Sequence, residues 1–171
     1  MITRTTQLRW MIFCCVTVLG CSKATDPGSV GQEGPVRETV ASLQKALKDR
    51  DADKIWKLLE KDSQADAERA AHAIKIAYAK ADVKEKSEQE QALGLSGVEL
   101  AGLTGVGFLK TKRFHGKYEE LSESKIDKVA LQRNGATVSY TEPDGDKEKL
   151  NLVQQDGQWK VSLPMPTPSG H

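Results

Sequence analysis

The chain has 171 residues, 29% of them charged, with a formal net charge of +1 and three cysteines. That length fits one domain able to bury a substantial core. The near-neutral balance creates no global field toward nucleic acid or an anionic membrane surface, so no nucleic-acid partner is expected.

In chain order, Arg4 and Arg9 precede an apolar run from Trp10 to Leu19, and Gly20 follows. This is the order of an export signal. The run is about half of the ~20 residues that a membrane-spanning helix needs, which favours a removable signal over a permanent span. At its end Val18, Leu19, Gly20 and Cys21 resemble the lipobox of bacterial lipoproteins, where an aliphatic and a small residue precede the modified cysteine. The resemblance implies a lipoprotein signal peptide over residues 1–20 and lipidation at Cys21, with diacylglycerol on the sulfur and a further acyl chain, such as palmitate, on the new amino terminus. Each buried methylene contributes ~0.8 kcal/mol, so one chain binds marginally and two or more hold firmly.

Processing would remove Cys14 and Cys15 with the leader, leaving no thiol for redox chemistry. Loss of Arg4 and Arg9 takes the formal net charge from +1 to −1. The implied address is the cell envelope, anchored and facing the periplasm or exterior. Ser22 lacks the acidic character that often retains lipoproteins on an inner membrane, and this points to the outer one. Residues 21–35 contain "SKATDPGSVGQEGP", small, polar and without apolar periodicity. They read as a flexible tether with a reach of ~20 Å.

A single α+β domain is expected over residues 36–163. Val36, Val40, Leu43 and Leu47 recur at helical spacing, with Pro35 suited to the first turn. Asp51 can cap a shorter helix carrying Ile55, Trp56, Leu58 and Leu59. A third helix starts near Asp62 or Ser63 and presents Ala67, Ala70, Ala71, Ile74, Ala77, Tyr78 and Ala81, small side chains that allow close packing. It is expected to fade into "KEKSEQEQ".

The stretch "LGLSGVELAGLTGVGFLK" spaces Gly102, Gly105 and Gly107 as a nucleotide site would. No strand precedes it and no lysine followed by Ser or Thr closes it, so it is not read as a phosphate loop. Two short capped helices account for it: Ser96 with Glu99 as a capping box, then Thr104 before Phe108 and Leu109. In "FLKTKRFHGKY", Lys110, Lys112, Arg113 and Lys117 lie between Phe108, Phe114 and Tyr118. That composition suits an anionic polymer or lipid headgroups. It equally suits basic residues in the last turn of a helix capped by Gly116.

From Lys125 to Leu163 the period becomes two, with turn signals at Asn134-Gly135, Pro143-Asp144-Gly145 and Asp156-Gly157. Four antiparallel strands are expected. Two-residue turns would pair Leu131 with Val138, Val129 with Tyr140, Leu152 with Val161 and Leu150 with Leu163. Trp159 would join these on one face and lie buried under the helices. Lys128, Gln132, Thr137, Ser139, Thr141, Asn151, Lys160 and Ser162 form the opposite, solvated face. Helices first and a meander last predict N-terminal helices packed on one face of a C-terminal four-stranded antiparallel sheet. The outer face lacks an apolar patch, so a monomer is expected. Residues 164–171, rich in proline, read as a mobile tail.

The segments "SLQKALKDRDADKIWKLLEKDS" and "NGATVSYTEPDGDKEKLNLVQQDGQWKVSLP" resemble the nuclear transport factor two-like, or cystatin-like, cone fold. The likeness is to small bacterial lipoprotein domains of unknown function with that fold. It implies a cone whose ligand-facing candidates are Trp56, Tyr78 and Trp159. Relatives with this fold include ketosteroid isomerases, polyketide cyclases and dehydratases, as well as proteins without known catalysis, and fold alone does not choose among them.

The catalytic candidates are Asp127 and Tyr140, a carboxylate base and a phenol donor on one inner face if the strand is regular. If the strand bulges, Ile126 turns inward and Asp127 becomes a surface charge. His72, His115 and His171 have no companions at zinc-site spacing, so neither metal nor cofactor is expected. The sequence therefore favours a lipid-anchored, non-enzymatic domain that binds an envelope protein, a wall component or a small ligand. The contact is expected through the polar sheet face or the Lys110–Lys117 stretch. The alternative is a small isomerase or hydrolyase using Asp127 with Tyr140.

Overall fold

The computed structural model describes residues 33–166. The leader, Cys21, His171 and the greater part of the expected tether lie outside the described residues. α1 (Glu33–Lys48) opens with an Arg37–Glu33 ion pair at 2.8 Å. It buries Val36, Val40, Leu43, Ala46 and Leu47 along one stripe, the face its periodicity predicts. Its end is a Schellman motif: the Arg50 N–H donates to Leu47 O at 3.2 Å and the Asp51 N–H to Ala46 O at 2.9 Å. Arg50 takes a left-handed φ of 53° there, where glycine is the usual occupant. Asp51 then caps α2 (Ala52–Leu58) by accepting from the Lys54 N–H at 2.9 Å.

α3 (Lys61–Lys80) buries Ser63, Ala67, Ala70, Ala71 and Ile74, whereas Ala77 is exposed. The polar run after it does not fray. It forms α4 (Val83–Leu93), held by an Asp82–Glu85 capping box and closed by Gly94 at φ 69°. The helix has almost no apolar period because it buries only Leu93. α5 (Gly97–Ala101) has the expected Ser96–Glu99 capping box, and α6 (Gly105–Phe108) has Thr104 accepting from the Gly107 N–H at 3.1 Å. α7 (Lys112–Tyr118) is capped by Thr111 and runs through Gly116, which is not its cap. A 3-10 turn, Glu120–Glu123, leads into the sheet.

The strands β1 (Lys125–Gln132), β2 (Gly135–Thr141), β3 (Lys147–Gln155) and β4 (Gln158–Ser162) form an antiparallel meander in sequential order. α1 touches both outer strands, β1 and β4, so the sheet curls around it. N-terminal helices thus cover one face of a C-terminal sheet, an α+β architecture as expected. Past β4, the Glu60 N–H donates to Val161 O at 3.0 Å and Leu59 bridges Val161 in parallel.

The Asp156-Gly157 hairpin has the expected register, with Leu152 opposite Val161 and positive φ at both turn residues. The ladder stops at Asn151 with Ser162, so Leu150 does not pair with Leu163; the Leu163 N–H instead donates to Ser63 Oγ at 2.9 Å. The first hairpin is shifted: Val129 pairs with Val138 and Leu131 with Ala136, and the turn is Arg133-Asn134. Gly135 is already in the strand, because a Cβ there would lie 2.8 Å from Leu152 O of β3. The shift is two residues, so the side chains between the turn and Lys128 keep their faces.

Candidate functional site

The expected pair does not form. β1 bulges between Ile126 and Lys128, and Ile126 pairs with Tyr140. Asp127 leaves the inner face, is exposed and accepts from Thr141 Oγ1 at 2.7 Å. An extra residue in one strand reverses the alternation beyond it, which is the physical reason.

The three cone aromatics do not line a common cavity either. Trp56 packs on α6, where a Cβ at Gly105 would lie 2.8 Å from its ring. Tyr78 donates to Glu90 Oε1 at 2.5 Å. Trp159 lies beyond both, in a shallow groove with Pro35 and Leu58. It is half-buried, not enclosed as expected, because it sits at the turn end of β4, beside the start of α1. His72 is on the exposed side of α3. In the basic-aromatic stretch α7 sorts the residues by face: Phe114, His115 and Tyr118 are buried, while Lys112 and Lys117 are exposed.

The structure opens a cleft elsewhere, of about 820 Å³, between the start of α3, the end of α7 and the β2–β3 end of the sheet. Its lining includes Ser63, Tyr118, Leu121, Tyr140, Leu150 and Leu163, with Glu60, Asp62, Asp66, Glu142 and Glu148 facing only Lys117 and Lys149. The rim is therefore electronegative. Tyr118 is fixed, since its hydroxyl donates to Pro164 O. Tyr140 is 7% exposed, and among the described residues its hydroxyl has no hydrogen-bond partner.

Burial, followed by the charges of Glu142 and Glu148, pushes the Tyr140 phenol up to about 12. Burial and then Tyr140 also raise Tyr118. Both phenols therefore keep their protons at neutral pH and act as hydrogen-bonding groups, not as bases. Glu142 is raised as well, by burial first and then by its hydrogen bond with Glu120. Glu120, Glu142 and Asp144 bring carboxylate oxygens within 4.8 Å of one another, the one such group among the described residues that could hold an ion.

Of this cleft the sequence singled out Tyr140 and the basic end of α7. Its other walls come from separate segments, brought together where the Leu163 N–H donates to Ser63 Oγ and by the β2–β3 turn. An acidic cluster in "TEPDGDKE" was the available signal, and turn chemistry masked it. No known protein family, curated protein or solved structure matches the chain.

Proposed function

We propose that the chain is a lipid-anchored domain of the cell envelope, held at Cys21 and related to the nuclear transport factor two-like lipoproteins, that binds a ligand without turning it over. The observation that carries the binding reading is Tyr140, a largely buried ring in the wall of an open cleft whose hydroxyl has no hydrogen-bond partner among the described residues. A hydroxyl open to a cleft and not engaged by the fold is available to a ligand, and the mostly apolar ring around it shields that bond from water. The electronegative rim favours a ligand that is cationic or rich in donors over an anionic one. This reading puts the contact at the cleft, which Lys117 of the Lys110–Lys117 stretch also lines, in place of the polar sheet face. Neutral phenols suit recognition better than proton abstraction, and Asp127 points away from Tyr140. An isomerase or hydrolyase would have to use another base.

The test is a thermal-shift screen of the purified full-length chain against cationic, neutral and anionic small molecules. A cationic or donor-rich compound is expected to raise Tm saturably, with an affinity that Tyr140→Phe weakens about tenfold, on the scale of one lost hydrogen bond to a polar ligand. Turnover of a carbonyl or ester compound that Tyr140→Phe removes would make the chain an enzyme instead. For the anchor, Cys21→Ser is expected to abolish lipid labelling and release the chain from membranes. Retention after a carbonate wash would overturn it.

A further inference from the structure

On the other side of Tyr118 lies a second cavity, of about 320 Å³, between the end of α1, α7 and the 3-10 turn. Two of its groups lack partners. His115 is 9% exposed, and its Nε2 is buried with no hydrogen bond among the described residues. Burial, and then the positive charge of Arg50, holds the imidazole below its usual range, so it is neutral at neutral pH and keeps one N–H to donate. The Arg50 guanidinium has no carboxylate at ion-pair distance among the described residues. The other charges of the cavity are largely engaged: Lys48 lies 3.9 Å from Glu123, and Lys112 Nζ donates to Gln91 O at 3.3 Å. Glu119 is also in the lining and leaves it with a formal balance of +1.

Arg50 also occupies a backbone position that local stability alone would give to glycine. It is the left-handed residue of the Schellman motif, where a Cβ is strained. Strain kept at a charged residue in a cavity wall points to a role for its side chain.

We propose that Arg50 and His115 form a binding site for a small oxyanion, the carboxylate or phosphate group of a solute or a lipid headgroup. The planar guanidinium offers paired N–H donors that match two oxygens of such a group, and the imidazole supplies a further donor. A cation would meet the net positive charge of the lining, and an apolar ligand would bury Arg50 unpaired. The site is separate from the Tyr140 cleft and does not rest on the function proposed for it.

The test is a titration of the purified full-length chain with inorganic phosphate and with succinate, following calorimetry and the His115 imidazole signals by NMR. Separate arms use vesicles of phosphatidylglycerol and of phosphatidylcholine. At least one soluble anion is expected to bind saturably, to shift the His115 signals and to lose at least about tenfold in affinity in Arg50→Gly. Because glycine relaxes the motif, that variant is expected to keep or raise Tm, which separates binding from folding. Arg50→Asn, also at ease in the left-handed region, serves as the second variant. Preference for phosphatidylglycerol over phosphatidylcholine vesicles that Arg50→Gly abolishes, without soluble-anion binding, would assign the oxyanion to a headgroup. The proposal is overturned if neither anion nor vesicle moves the His115 signals, or if binding persists unchanged in both Arg50 variants.

Discussion

α1 and α4 are both regular helices, yet they are held by different forces. α1 buries five apolar side chains inside the curl of the sheet, whereas α4 buries one and owes its ends to the Asp82–Glu85 capping box and Gly94. The surroundings follow the same division: Ile76 and Val83 on the α3–α4 side are exposed, and so is Val98 on α5. Helices that bury little are stabilised by a few local bonds, each of modest size, and open at low free-energy cost. The α1–sheet half should therefore unfold globally and the α4 half locally.

The largest test of that contrast is Leu43→Ala in α1, at a fully buried site. It is expected to cost about 3 kcal/mol in denaturant unfolding, within the range for emptied leucine sites. A loss below ~1 kcal/mol would remove the distinction between the halves. Asp82→Ala deletes the cap of α4 and is expected to cost about 1 kcal/mol. Hydrogen exchange should read it as faster opening of Val83–Leu93 with α1 unchanged. If α1 amides accelerated equally, α4 would belong to the same cooperative unit.

The smallest effect sharpens the comparison at α7, whose buried side carries His115. Its pKa in the fold lies below the usual 6.5. Just below that value the unfolded chain binds more protons than the folded one, so stability falls as pH falls through the window beneath 6.5. His115→Gln is expected to flatten that part of the pH profile, read from Tm at closely spaced pH values. An unchanged slope would mean that the ring is protonated equally in both states.

Legibility in the sequence followed the same division. Where a segment buries one face, the period gave it away: the α1 stripe and the inner sheet residues Val138, Leu150, Leu152 and Val161 were all identifiable in advance. Caps with a short local signature, Asp51, Ser96 and Thr104, were equally visible. α4 was missed because an exposed helix has no apolar period, although Asp82 and Glu85 carried its start signal. The Asn134-Gly135 pair misled because Gly135 serves a close approach between strands, a demand that neighbours in sequence do not reveal. Both cavities were invisible for a related reason. They are enclosed by residues far apart in the chain, and single residues such as Arg50 and His115 acquire meaning only by lacking partners.

The two margins of the meander are left in different states. The backbone beside β4 is occupied by Leu59 and Glu60, so no foreign strand can add there without displacing the start of α3. Among the described residues only β1 remains as an open margin. There the bulge breaks the regular spacing of donors and acceptors, and Lys125, Asp127 and Lys128 stand exposed around it. A second copy approaching that margin would meet a mismatched ladder and a row of exposed charged side chains that would have to be desolvated, features that oppose edge-to-edge growth. Molecules crowded together at high local density are thus discouraged from assembling into extended intermolecular sheets.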